Sequence, residues 1–287
     1  MTLKTNIDGK SRRNFLGYLA TGISIVLGSI GLTWWLSGSS TRTQSNSSTP
    51  TNTTSISVGD KYFLPLPKFN SGITVEEAMA WRRSVREYKD VPLTVQNLSM
   101  LLWSAQGINE LKYGFRTVPS AGGLYPLEIY VVVSNHGVVI DDSNYLPYGS
   151  YLYDHRDHSI KLVRDVDLRE ELARVSLNQE WVRKAPVNII VFAVYERTTE
   201  AKYGERGNRY VHMEDGHVGQ NTYLMAAALH LGTVVIGAFS DDEVKQIVGA
   251  REKEQPLYVQ PVGVPQEFYQ ISERAITEYY NKVRKSE

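Results

Sequence analysis

The chain has 287 residues, 42% hydrophobic and 22% charged, which is enough for one substantial core or two small ones. Lysine plus arginine equals aspartate plus glutamate at 31 each, so the formal charge is zero and there is no broad basic field to hold nucleic acid. Cysteine is absent, which removes disulfides, thiolate metal sites, cysteine nucleophiles and lipoprotein acylation together and leaves the redox compartment open.

At the amino terminus, Lys4, Lys10, Arg12 and Arg13 precede an uncharged run from Phe15 to Leu36, rich in Ile, Leu, Val and Gly and containing Trp34-Trp35 near its end. At about 1.5 Å per residue such a run spans a hydrocarbon core of roughly 30 Å. Residues 1–36 are therefore expected to form a transmembrane or signal helix, with the amino terminus in the cytoplasm and the rest of the chain on the extracytoplasmic side. Ser11-Arg12-Arg13-Asn14-Phe15-Leu16 is similar to a twin-arginine export signal; the alternative is that the two arginines are ordinary positive-inside charges. No A-x-A-like cleavage site follows, which favours retention as an anchor. Residues 37–57 turn to Ser, Thr, Asn and Gln, too polar to offset their ordering entropy, and are expected to be a flexible linker carrying sequons at Asn46 and Asn52.

The remaining residues, 58–287, read as one folded domain. Thr74-Val75-Glu76-Glu77 is a capping box that opens a helix delivering Arg82 at its end. Thr94 starts a second helix, with Leu98, Leu101, Leu102 and Ala105 at helical spacing and Gly107 as its stop. Strand-like runs follow at 127–133, 149–153, 187–195, 233–239 and 257–262, with helical stretches near 168–175 and 217–231 and a further capping box at Ser240-Asp241-Asp242-Glu243. Strands interspersed with helices indicate an α+β layer fold, and no Gly-x-Gly-x-x-Gly fingerprint points to a dinucleotide fold. His155 and His158, with Asp154 and Asp157, could form a ligand cluster, but a polar turn at a strand end explains them as well, and no metal is expected.

Two segments invite chemistry. Arg82-Arg83-Ser84-Val85-Arg86 offers fork-shaped, charge-assisted donors that suit a phosphate monoester. Pro119-Ser120-Ala121-Gly122-Gly123-Leu124-Tyr125-Pro126 has adjacent glycines that let main-chain N–H groups approach a flat ligand. Read singly, the first is also a solvated basic helix end and the second an ordinary turn.

Together, and with Val235-Ile236-Gly237-Ala238-Phe239, these segments resemble the nitroreductase family of flavin enzymes over about Val75 to Pro265. The resemblance implies a mixed central sheet flanked by helices, an FMN cofactor, a homodimer with the flavin between subunits, and oxidoreductase activity on a small molecule with a separate electron donor or acceptor. It assigns Arg82, Ser84 and Arg86, with Arg83 beside them, to the FMN phosphate and ribityl chain. Pro119, Ser120, Ala121, Gly122 and Gly123 fall to the flavin ring, and Gly237 and Ala238 to its edge. Tyr125 or Phe239 would stack on a substrate, while Arg274 and Lys282 are the available carboxy-terminal basic residues. Lys202-Tyr203-Gly204-Glu205-Arg206, followed by Gly216-His217-Val218-Gly219-Gln220-Asn221, is similar to the SagB-type thiazole/oxazole dehydrogenase branch. That likeness makes Lys202 a general base and Tyr203 its partner in proton transfer. A membrane segment is foreign to peptide-modifying enzymes of the cytoplasm, so the alternatives are a nitro or quinone reductase linked to NAD(P)H or quinone, and a flavin-binding protein without turnover.

Overall fold

The computed structural model describes residues 57–58 and 60–286. The expected anchor at 15–36, the twin-arginine-like run and the linker up to residue 56 lie outside the described residues; among those described, no helix is long and apolar enough to cross a membrane. In chain order the elements begin β1 (Ser57–Val58), β2 (Lys61–Phe63), α1 (Val75–Trp81), β3 (Leu93–Thr94), α2 (Val95–Gln106) and a 3-10 turn at Ala121–Gly123. Then come β4 (Leu127–Val133), β5 (Val138–Val139), β6 (Gly149–Asp154), β7 (Ser159–Arg164), α3 (Arg169–Val175), α4 (Glu180–Lys184) and β8 (Val187–Ala193). The rest are α5 (Glu196–Thr198), a π turn at Thr199–Tyr203, α6 (Arg206–Ala228), β9 (Gly232–Thr233), α7 (Asp241–Val248), β10 (Gln255–Gly263) and α8 (Glu273–Lys285).

Eight strands form one sheet in the order β1-β2-β7-β6-β4-β8-β10-β9. Its ladders are antiparallel, while β3 and β5 pair in parallel and Ser84 adds a parallel bridge to Thr233 at the β9 edge, so the β structure is mixed. Alternation along the central strands builds two cores. Leu127, Ile129, Val131 and Val133 of β4 join Ile189 and Val191 of β8 against Leu98 and Leu101 of α2 and Val211 and Val218 of α6. The opposite face presents Tyr130, Val132, Ile190 and Phe192 to Leu172, Val182 and Val244 of α3, α4 and α7. Every residue of β8 is buried, because helices cover both faces of the sheet there, and this is why its sequence is a nearly continuous apolar run. Each such Val, Ile or Phe contributes about 1.5–3 kcal/mol relative to exposure.

The helix ends show the local rules at work. Thr74 Oγ1 accepts the Glu77 N–H at 3.2 Å and Glu77 Oε2 accepts the Thr74 N–H at 2.9 Å, completing the capping box. Thr94 Oγ1 accepts the Asn97 N–H at 3.1 Å. Gly107 does stop α2, but with φ −71° it is extended rather than left-handed. A Cβ there would lie 2.2 Å from Trp103 Cδ1, so the approach of the indole is what requires glycine.

Several boundaries differ from the sequence expectation. The run 233–239 is a two-residue strand followed by a single bridge from Ile236 to Val259. Val234 and Ile236 are buried in the second core, so their apolar character reflects packing without a ladder. The helix expected from 217 begins at Arg206, because its polar first half has one buried face. Ser240 does precede α7 but makes no side-chain cap bond to that helix's backbone.

Candidate functional site

Arg82 is where α1 ends. Its ψ of 132° takes the chain out of the helix, and the next residues run extended along the sheet edge, with the Val85 N–H donating to Thr233 O at 2.9 Å. Ser84 Oγ lies 3.0 Å from the Tyr223 hydroxyl, and the Val235 N–H donates to that same hydroxyl at 3.0 Å. The Arg82 guanidinium stands 5.2 Å from the Tyr223 ring and the Arg86 guanidinium 5.5 Å from the Trp181 ring. Gln179, just before α4, donates to Ala238 O at 3.4 Å. The structure therefore brings Arg82, Ser84 and Arg86 into one neighbourhood with the 235–238 segment. Gly237 and Ala238 are exposed, and among the described residues their N–H groups donate to nothing. Arg83 points elsewhere: it covers the Tyr269 ring at 3.9 Å and donates to Arg82 O at 2.8 Å. Among the described residues no carboxylate pairs with Arg82, Arg83 or Arg86.

The second predicted segment, the turn before β4, meets α6 at a different point along that helix. Gly122 and Gly123 both have φ 66°, a conformation that costs glycine nothing, and both are exposed. Tyr125 has φ 45°, unusual for a residue with a Cβ, and is held from several sides. Its N–H donates to Ser120 Oγ at 2.8 Å, its hydroxyl accepts the Arg116 N–H at 3.0 Å, and its carbonyl accepts Arg197 Nη1 at 3.2 Å. Pro119, Ser120, Gly123 and Tyr125 border a hollow of about 430 Å³ closed on the far side by the 109–116 hairpin. A Cβ on Gly122 would sit 3.0 Å from the Tyr203 hydroxyl, so Tyr203 is the member of the Lys202-Tyr203 pair that meets this turn. Lys202 is exposed, with Nζ 5.4 Å from the Tyr203 ring. An apolar groove of about 400 Å³ among α1, α2 and α6 adjoins the hollow, sharing Asn109 and Thr117.

Beneath the turn is a buried polar cluster that the sequence reading missed. Glu214 on α6 is 2% exposed and accepts hydrogen bonds from Ser120 and Gln106. Burial pushes its carboxyl up to about 7, with those bonds and the Arg116 charge opposing the shift. Gln106 Oε1 in turn accepts Arg116 Nη1 at 3.1 Å. The neighbouring Asp215 is 4% exposed, its Oδ1 has no partner among the described residues, and burial raises it to about 8. A signal for both acids was present: Val211, Glu214, Asp215, Val218 and Thr222 recur at helical spacing and all are buried.

Ser84 and Ser120 thus engage α6 through Tyr223 and Glu214, nine positions and about 13 Å apart along the helix. The remaining predicted groups fall outside both places. Arg274 pairs with Glu278 at 2.6 Å on exposed α8, where Lys282 is also exposed. His158 is engaged by Ser99 at 2.8 Å and Tyr153 at 2.9 Å, an internal bracing role. Phe239 packs against the second core.

An α+β sheet with helices on both faces, an exposed arginine–serine segment and a double-glycine turn make up the layout of a nitroreductase-like fold. The Nitroreductase family model matches residues 79–264, and the chain belongs to that family of oxidoreductases. It is 47% identical over 206 residues to MJ1384 of Methanocaldococcus jannaschii, a nitroreductase by assignment, covering 72% of this chain and 98% of that protein. The crystal structure of a Ralstonia eutropha protein with the same assignment is 28% identical, with a TM-score of 0.61 over 75% of this chain and 94% of that one. The Escherichia coli microcin synthetase McbBCD complex with truncated pro-MccB17 superposes with a TM-score of 0.57 at 18% identity, over 93% of this chain and 85% of that one, a likeness of fold.

Proposed function

We propose that the protein is an FMN-dependent oxidoreductase that takes two electrons from one partner and gives them to another in turn, one of the two being a small flat or heterocyclic substrate. The observation that carries this reading is the convergence at one sheet edge of Arg82, Arg86 and Ser84 with the free amides of Gly237 and Ala238. No described carboxylate neutralises those arginines. Such a set fits a phosphate monoester at one end and a ring bearing carbonyl and imide groups at the other. The exposed, left-handed glycines of the Pro119–Gly123 turn leave room for a planar group to lie close to the backbone.

FMN, when bound, supplies the hydride chemistry; the chain supplies position and charge. Arg82, Ser84 and Arg86 hold the phosphate end, with Arg83 lending charge from the outside. The 237–238 amides stabilise negative charge at the ring edge. Tyr203, beside the turn, would carry the proton between substrate and solvent; the role of base expected of Lys202 is not favoured, because that side chain is exposed and lacks the burial a lysine base needs. The two halves engage α6 about 13 Å apart and both face outward, which suits a homodimer whose second copy closes the site. The SagB-type dehydrogenase branch is the subgroup favoured by the Lys202-Tyr203 segment, and the apolar run at 15–36 favours a membrane-anchored protein with its catalytic domain outside the cytoplasm.

The test is the absorption spectrum of the purified chain after reconstitution with FMN. Stoichiometric flavin is expected, and Arg82→Ala with Arg86→Ala should weaken binding by roughly 10²–10⁴, from two charge-assisted contacts of about 1.5–3 kcal/mol each. Folded, colourless wild-type protein would overturn the reading.

A further inference from the structure

We propose that the hollow beside the Pro119–Gly123 turn is a subsite for the carboxylate end of a planar, conjugated substrate, and that Arg116 is the residue that reads its charge. The inference rests on the flavin reading for what the substrate undergoes, but not for its binding.

The hollow is built before any ligand arrives. Its outer wall is the hairpin closed by the bridge between Ile108 and Arg116. Glu110 shapes the tip: its two carboxylate oxygens accept the Lys112 N–H at 2.9 Å and the Tyr113 N–H at 2.7 Å. Its negative charge is therefore engaged by backbone donors. Phe115, 46% exposed and stacked on Tyr113 at 5.6 Å, offers an apolar face that the isolated chain leaves in water. A conjugated ring would cover such a face and recover its hydrophobic contribution.

Arg116 is aimed and under-compensated. Its guanidinium lies 4.3 Å from the Tyr125 ring, and Nη1 is fixed by Gln106 Oε1, whose own Nε2 points to Glu214 Oε1 at 3.4 Å. This relay sets the orientation of the guanidinium without placing a carboxylate on it. Nε is buried and has no partner among the described residues. The nearby acid Glu128 is committed to Arg197 and Arg251, and Glu254 to Arg251 and Tyr130. Glu214, with its carboxyl raised to about 7, carries only part of a charge at neutral pH. Burial lowers the Arg116 pKa more than the neighbouring acids raise it, which is the behaviour of a cation short of counter-charge. A ligand carboxylate would supply that charge through Nη2, the nitrogen that among the described residues is neither hydrogen-bonded nor buried. Tyr125, kept at φ 45° by its three hydrogen bonds, makes the floor rigid, so little ordering is required on binding.

The experiment is calorimetric titration of the full chain, loaded with FMN, with benzoate and with benzamide, which match in shape and differ in charge. Benzoate is expected to bind roughly tenfold tighter or more, the yield of one hydrogen bond to a charged group. The preference should vanish in Arg116→Gln and return in part in Arg116→Lys. Equal affinities in the wild-type chain, no binding of either probe, or a preference that survives in folded Arg116→Gln would each overturn the proposal. The wild-type comparison needs no variant, so misfolding of Arg116→Gln leaves the test intact. Flavin absorbance on the same samples separates the two readings. A preference for benzoate in a chain that takes up no FMN sustains the subsite and removes the flavin assignment, whereas bound FMN with no preference does the reverse.

Discussion

The two halves of the site are held by opposite means. The Arg82–Arg86 segment is fastened by a backbone bond from Val85 to Thr233 of β9 and carries its charged groups outward, where Arg86 contacts an indole face. The Pro119–Tyr125 turn is fastened by side chains beneath it, through Ser120, Tyr125, Arg116, Gln106 and Glu214. One half is recognition surface resting on a single bridge to the sheet edge; the other is a surface whose shape depends on a buried polar network. Changes in the first should therefore alter binding and leave stability alone, while changes in the second should alter both and respond to pH. The largest expected effect, the loss of FMN affinity in the doubly substituted Arg82 and Arg86 chain, sharpens this contrast if the melting temperature stays within a degree or two of wild type.

Next in size is the pH dependence contributed by the buried acids of α6. A carboxyl raised in the folded state binds its proton more tightly folded than unfolded. Its contribution is fully present below its ordinary value near 4 and is lost as the pH climbs through the folded value. For Asp215 that window runs up to about 8, and for Glu214 to about 7. Asp215→Asn keeps the shape and removes the charge. It is expected to match wild type near pH 4 and to exceed it by a few kcal/mol at pH 8.5 in urea unfolding. Identical slopes with pH in the two proteins would show that Asp215 is not the source and would weaken the contrast between the halves.

Those acids also mark where the sequence could be read and where it could not. β8 was legible because burial on both faces writes an uninterrupted apolar run from Val187 to Ala193. The Thr74–Glu77 box was legible because its two hydrogen bonds are local. Arg82, Ser84 and Arg86 could be singled out because their donors are chemically conspicuous, and the structure does gather them. The segment Arg206–Gly216 was opaque: its glycines and charges suggest a loop, and only packing against the sheet shows that Val211, Glu214 and Asp215 form an inward face. The run 233–239 misled in the opposite sense, since apolar residues buried by helices α3 and α7 look like strand residues whether or not a ladder forms. Periodicity reports burial, and the partner that causes the burial is a tertiary fact.

Ser120→Ala tests the buried-network half by a smaller amount. It removes the acceptor for the Tyr125 N–H and one donor to Glu214, so a loss of about 1–2 kcal/mol in stability is expected together with weaker flavin binding. A stability loss without any change in flavin affinity would separate the turn from the cofactor site.

The smallest effect belongs to Tyr223→Phe, which acts at the junction between the exposed segment and α6. The Tyr223 hydroxyl accepts the Val235 N–H and touches Ser84 Oγ, so it aligns the arginine segment with the 235–238 amides without itself carrying charge. Its ring remains in the phenylalanine variant, and with it the stacking beneath Arg82. Only the hydroxyl's two contacts disappear, leaving the half-buried Val235 N–H without its acceptor at a cost of about 1 kcal/mol. If the exposed half binds through preset geometry, flavin affinity should fall about fivefold, the equivalent of that energy, because both ligand-facing arms lose their common anchor. An unchanged affinity would mean that the backbone bond from Val85 to Thr233 alone sets the geometry, and that this half needs nothing from α6.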